Sequence, residues 1–110
     1  MKGLPRLLDH DFAGLEIKEH TGLSVIFFSA DWCPYCLSFF RNWSDYGKVE
    51  SVFIADITDT SSKLWDSFNI EVVPTMAIFE DGKLQRRWDG ILGQGLNILQ
   101  IEEVNDFFDK

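Results

Sequence analysis

The chain of 110 residues holds two cysteines, Cys33 and Cys36, separated by Pro34 and Tyr35. Thiols at that spacing suit one of two chemistries. In the first, a thiolate attacks a disulfide and the second thiol displaces the product; three residues along a helix bring the sulfurs within bonding reach. In the second, the pair is half of a tetrahedral zinc site. Zinc needs a second pair of ligands, and none is spaced for it. His10 and His20 lie upstream with nine residues between them, unlike the short His–His spacings of zinc sites. They read as surface or helix-end residues. The cysteine pair is therefore expected to be a redox couple that needs no metal, flavin or nucleotide in this chain. A disulfide scaffold is excluded too, because both thiols fall within one motif.

A redox role needs elements that hold the two sulfurs differently. Leu23-Ser24-Val25-Ile26-Phe27-Phe28 is a nearly continuous apolar run, and it reads as a central parallel strand buried on both faces. Ser29 to Trp32 makes a short loop. Cys36, Phe39, Phe40 and Trp43 then fall at i, i+3, i+4 and i+7, one apolar stripe of a helix. Pro34 fits its first turn, where a missing N–H costs nothing. Cys33 should lie exposed just ahead of the helix, where unpaired N–H groups and the macrodipole favour negative charge. Cys36 should face the core as the more buried thiol. Cys33 is thus the expected nucleophile and Cys36 the resolving thiol.

The remaining chain supplies the frame. Leu4 to Leu8, interrupted by Pro5, suits an edge strand. Asp9 could cap a helix running through Phe12, Leu15 and Lys18 to His20. Val49 to Ala55 is a second buried strand, and Thr60 or Ser61 could cap a short helix bearing Leu64 and Phe68. Pro74 to Phe79 is a strand, Glu80 to Lys83 a turn, and Leu84 to Trp88 an antiparallel return. Ile101, Val104, Phe107 and Phe108 mark a final amphipathic helix. The order β-α-β-α-β-α-β-β-α predicts an α/β fold, a mixed sheet with helices on both faces, in a single domain spanning 1–110.

Composition narrows the partners. With 18 acidic and 10 basic residues the net charge is −8, which opposes nucleic acid or an anionic membrane as a partner. No run approaches the roughly 18 apolar residues of a membrane helix. Met1-Lys2-Gly3-Leu4-Pro5-Arg6 leads into Asp and His rather than an apolar stretch, so no secretory leader is expected. A cytoplasmic monomer is the expectation.

Trp32-Cys33-Pro34-Tyr35-Cys36 after an apolar strand, then Val73-Pro74-Thr75, then Gly82 and Gly90, resembles the thioredoxin superfamily. The resemblance runs from Leu7 to Phe108 and implies the thioredoxin fold. It implies a cis Pro74 beside the sulfurs, Val73 and Pro74 flanking the site, Gly90 and Ile91 as the other rim of a substrate groove, and Trp32 shielding the cysteines. Trp43, Trp65 and Trp88 are read as packing residues. Three departures stand out. Pro34-Tyr35 is the dipeptide typical of glutaredoxins. Phe27 occupies the place of a buried aspartate that serves the resolving cysteine in many thioredoxins, and Ile54 that of its companion lysine, which predicts a slow resolving step. The glycine-rich stretch from Gly90 to Leu99 is longer than usual and could be a flap over the groove or a plain strand extension.

The resemblance implies a thiol–disulfide oxidoreductase acting on protein disulfides, reduced by a thioredoxin-reductase-type donor. A glutaredoxin-like enzyme using glutathione is the alternative. Its motif is present, but Trp32, the extra N-terminal elements and the lack of a Gly-Gly pair oppose it. A non-catalytic adaptor on the same fold would have no need of both thiols.

Overall fold

The segment Leu23–Ser29 buries every side chain from Ser24 onward, as only a strand covered on both faces can. The computed structural model describes residues 4–109. Residues 1–3, the start of the segment read for a leader, and residue 110 lie outside them. The elements are β1 (Arg6–Leu7), a 3-10 turn (Asp9–Asp11), β2 (Phe12–Ala13), β3 (Glu16–Ile17), β4 (Leu23–Ser29), α1 (Pro34–Tyr46), β5 (Val52–Asp56), α2 (Leu64–Ser67), β6 (Thr75–Glu80), β7 (Lys83–Trp88) and α3 (Ile98–Phe108).

One sheet takes the strands in the order β1-β5-β4-β6-β7-β3-β2. β4 runs parallel to β5 and antiparallel to β6, so the sheet is mixed and β4 is central. The alternation of a strand sends neighbouring side chains to opposite faces. Phe27 meets Phe39 and Trp43 of α1, with ring centroids 5.0 and 4.9 Å apart. Phe28 meets Phe12 and Phe68 on the other face. The expected α/β architecture is present, with helices on both faces. Among the described residues no helix is long and apolar enough to cross a membrane.

The first expected helix is absent. Between Asp9 and His20 the chain forms a 3-10 turn and the β2–β3 hairpin, which pairs through β3 with β7. Phe12, Leu15 and Lys18 match helical spacing, yet only Phe12 of these is buried, with Ile17 opposite it across the hairpin. Gly14, at φ 61°, makes the turn. A glycine there costs a helix about 1 kcal/mol and costs a tight turn nothing.

Asp9 caps a different helix from the one expected. Its carboxylate accepts from the Lys63 amide (2.8 Å) and the Ser62 hydroxyl at the start of α2, whereas Thr60 and Ser61 do not cap it. Leu64 and Phe68 are buried as expected. β5 begins at Val52 rather than Val49, and just ahead of that stretch the Lys48 amide donates to the Asn105 side chain of α3.

The Ser62 hydroxyl, then the Lys63 amide, hold the Asp9 carboxyl below its ordinary value of 3.8. Such a group stabilises the fold above that value, and the contribution is lost as pH falls through the lowered native pKa. Asp9→Ala should cost about 1 kcal/mol at neutral pH, with the deficit shrinking in strong acid. Urea denaturation at neutral pH and well below pH 3.8 checks this; an equal deficit at both would contradict it.

Candidate active site

The loop after β4 delivers Cys33 to the position just before α1, and Pro34 opens the helix. The Cys33 sulfur caps it by accepting the Cys36 amide hydrogen at 3.2 Å, one of the N–H groups that a helix start leaves without a partner. Cys33 Sγ also lies 3.5 Å from the Val73 carbonyl oxygen, to which its thiol donates. The Val73–Pro74 peptide is cis. Cys33, Cys36, Val73 and Pro74 thus meet, although Cys33 and Val73 are 40 residues apart in the chain. Both cysteines are free thiols.

Cys36 is 1% exposed and sits on the stripe with Phe39, Phe40 and Trp43. Cys33 is only 4% exposed, against the expectation of an open thiol. Its neighbours Trp32 and Tyr35 hold the surface instead, and the Val73 carbonyl closes over the sulfur. The two thiols therefore differ by their hydrogen bonds more than by their access to water.

Burial above all, and then the hydrogen bond to the Cys33 sulfur, pushes the Cys36 thiol far above its ordinary value. Desolvation disfavours the charged form, and a backbone hydrogen bond at Ala30 offsets it only in part. Phe27 and Ile54, which the resemblance puts in place of an acid and its lysine, are register partners on β4 and β5 and are fully buried. Asp31 is largely exposed and lies 3.6 Å from Arg6. Its charge raises the Cys36 value further.

Trp32 is half-exposed, not a core residue, and its indole N–H donates to the Thr58 carbonyl at 2.9 Å. Thr58 is fixed in turn: its hydroxyl donates to Asp56, while Asp56 also accepts from Arg6. Despite the desolvation that burial imposes, the hydrogen bonds from Thr58 and the charge of Arg6 hold the Asp56 carboxyl below its ordinary value.

On the opposite side, Gly90 lies so close to Pro74 that a Cβ would overlap the Pro74 carbonyl oxygen. Ile91 and Gly95 pair to close a short turn. Gly95 is in the left-handed region at φ 74°, and a Cβ there would come 3.1 Å from Tyr35 Cβ. The glycine-rich stretch is thus a bridged turn at the lip of the site. A cleft of about 260 Å³ opens beside Cys33, lined by Trp32, Trp65, Leu92 and Gly93 among others.

Trp65 and Glu71 line the site without having been expected there, and Leu92 comes from the glycine-rich stretch read as a possible flap. Trp65 carries no sign in the sequence, since it sits on a four-residue helix whose apolar spacing is satisfied by Leu64 and Phe68. His10 is exposed, and His20 bonds Ser24 at 2.8 Å, well away from the cysteines in the fold. Among the described residues, no group of three or more His, Cys, Asp or Glu is arranged to hold a metal ion.

The thioredoxin family model matches residues 7–99. The crystal structure of Chlamydomonas reinhardtii thioredoxin f2 is similar along almost the whole chain, with 20% identity, a TM-score of 0.67 and coverage of 96% of each chain. Oxidised thioredoxin from Plasmodium falciparum aligns with 19% identity and a TM-score of 0.60 over 80% of this chain and 82% of its own. A mutant thioredoxin from Halobacterium salinarum aligns at 18% identity and a TM-score of 0.59, covering 82% of this chain and 77% of its own. At these identities the likeness is one of fold. No curated protein sequence matches the chain.

Cys36 should therefore resist alkylation. In a Cys33→Ser variant its rate should keep rising with pH well past the ordinary thiol value of 9.0. A plateau near the ordinary thiol value of 9.0 would contradict the assigned burial.

Proposed function

The chain belongs to the thioredoxin family, and from that premise we propose that it reduces or exchanges disulfides in proteins through Cys33 and Cys36. Thiol–disulfide oxidoreduction is the general activity of the family. The observation that carries the finer reading is the Cys33 sulfur at the start of α1, bonded to the Cys36 amide and beside the cis Val73–Pro74 peptide.

In the first step the Cys33 thiolate attacks one sulfur of the substrate disulfide, forms a mixed disulfide and expels the other sulfur as a thiolate, which takes up a proton. Cys36 then loses its proton and attacks Cys33 Sγ. The Cys33–Cys36 disulfide forms and the second substrate thiolate leaves. Two electrons have passed to the substrate. A dithiol donor of the thioredoxin-reductase type must return them, with glutathione as the alternative. Nothing in this cycle calls on a metal or an organic cofactor.

Trp32, Pro34 and Tyr35 support the motif, while Val73, Pro74, Gly90 and Ile91 border the groove along which an extended substrate segment would lie. The second step is the slow one on this reading, because Phe27 and Ile54 offer Cys36 no base. The same reading takes the 110 residues as one domain, acting as a monomer in a reducing cytoplasm.

Cys36→Ser provides the test. With a small disulfide protein as substrate, turnover should fall to the uncatalysed rate, and a mixed disulfide through Cys33 should accumulate to nearly one per protein. Mass spectrometry of the trapped species reads this directly. An adaptor with idle thiols would trap nothing. A Cys33→Ser variant that trapped as much substrate through Cys36 would overturn the assigned roles.

A further inference from the structure

The cleft beside Cys33 contains side chains that the exchange steps do not use. Trp32 and Trp65 lie nearly parallel, 6° apart with ring centroids at 6.2 Å. Their indole N–H groups donate to successive carbonyls of one loop, Trp65 to Ile57 at 3.1 Å and Trp32 to Thr58 at 2.9 Å. With those polar edges satisfied, the two indoles make a fixed aromatic wall. Leu92, 84% exposed, also lines the cleft. Among the described residues Glu71 is the one carboxylate lining it, and it is exposed and has no ion-pair partner.

We infer that this cleft receives an arginine side chain of the substrate polypeptide next to its reacting cysteine, and that Trp65 and Glu71 set the preference. The inference rests on the exchange reading above and adds a substrate class to it. An arginine answers every wall of the cleft. Its planar, weakly hydrated guanidinium stacks on an indole, its donors meet a carboxylate, and its apolar stem lies along Leu92 and Val73. A phenylalanine would fill the aromatic wall but gain no ion pair with Glu71, which stays in water. A glutamate would be repelled.

The net charge of −8 adds longer-range attraction for basic partners.

Peptides that carry serine in place of the reacting cysteine, and differ only in the adjacent residue, separate binding from chemistry. Titrated against the intact protein and followed by tryptophan fluorescence, the arginine peptide should bind about tenfold more tightly than the glutamate peptide at low salt. It should also bind more tightly than the phenylalanine peptide. Glu71→Gln, at an exposed position, should shrink the arginine-to-glutamate ratio severalfold, and Trp65→Ala should narrow it as well. A phenylalanine peptide that binds as tightly as the arginine one, or a ratio untouched by Glu71→Gln, would overturn the inference. Arginine-selective binding without any disulfide exchange would instead sink the exchange reading alone.

Discussion

The hydrogen bond from the Cys36 amide to the Cys33 sulfur is the contact on which the site depends. It exists because the first turn of a helix leaves N–H groups unpaired, and the sulfur takes the place that a serine or aspartate oxygen holds in an ordinary cap. For that cap to do chemistry, α1 must be seated so that its start meets the Val73 carbonyl. The aromatic cluster of Phe27, Phe39, Phe40 and Trp43 supplies the seat. Fold and site are thus joined at one point: the stripe that buries the helix also buries Cys36.

That coupling has a chemical consequence. A carboxylate in place of Phe27 would serve Cys36 as a base, but it would have to stay charged between Phe39 and Trp43, where an unpaired charge is costly. The chain has an apolar pair there, Phe27 facing Ile54 across β4 and β5. Packing is gained and proton transfer is given up. Both cysteines are nearly buried and only Cys33 of the two lines the cleft, so a partner must come to the wall beside it, and what that wall offers is indole, aliphatic surface and an exposed carboxylate.

Much of this was legible in the residues. The unbroken apolar run of β4, the stripe of α1 and the Asp81-Gly82 turn each carry a local signal that agrees with the fold. Pro34 and Cys33 fell where a helix start demands. The cis Val73–Pro74 bond followed from family resemblance and not from any local preference. The segment from Asp9 to His20 misled because Phe12, Leu15 and Lys18 keep helical spacing, while the deciding interaction, Glu16 of β3 against Lys83 of β7, joins distant parts of the chain. Trp65 was hidden for the same reason: it is locally ordinary, and only the folded chain brings it to the cleft that Leu92 of the glycine-rich stretch also lines. The burial of Cys33 likewise depends on a carbonyl from the loop before β6.

The central claim is that Cys33 and Cys36 act as one unit across the first turn of α1. Oxidation of the reduced protein by excess glutathione disulfide, followed by digestion and mass mapping, tests it most directly. A single product is expected, in which the two sulfurs are joined to each other, with no lasting glutathione adduct. Separate glutathione adducts on the two cysteines, with no bond between them, would contradict it.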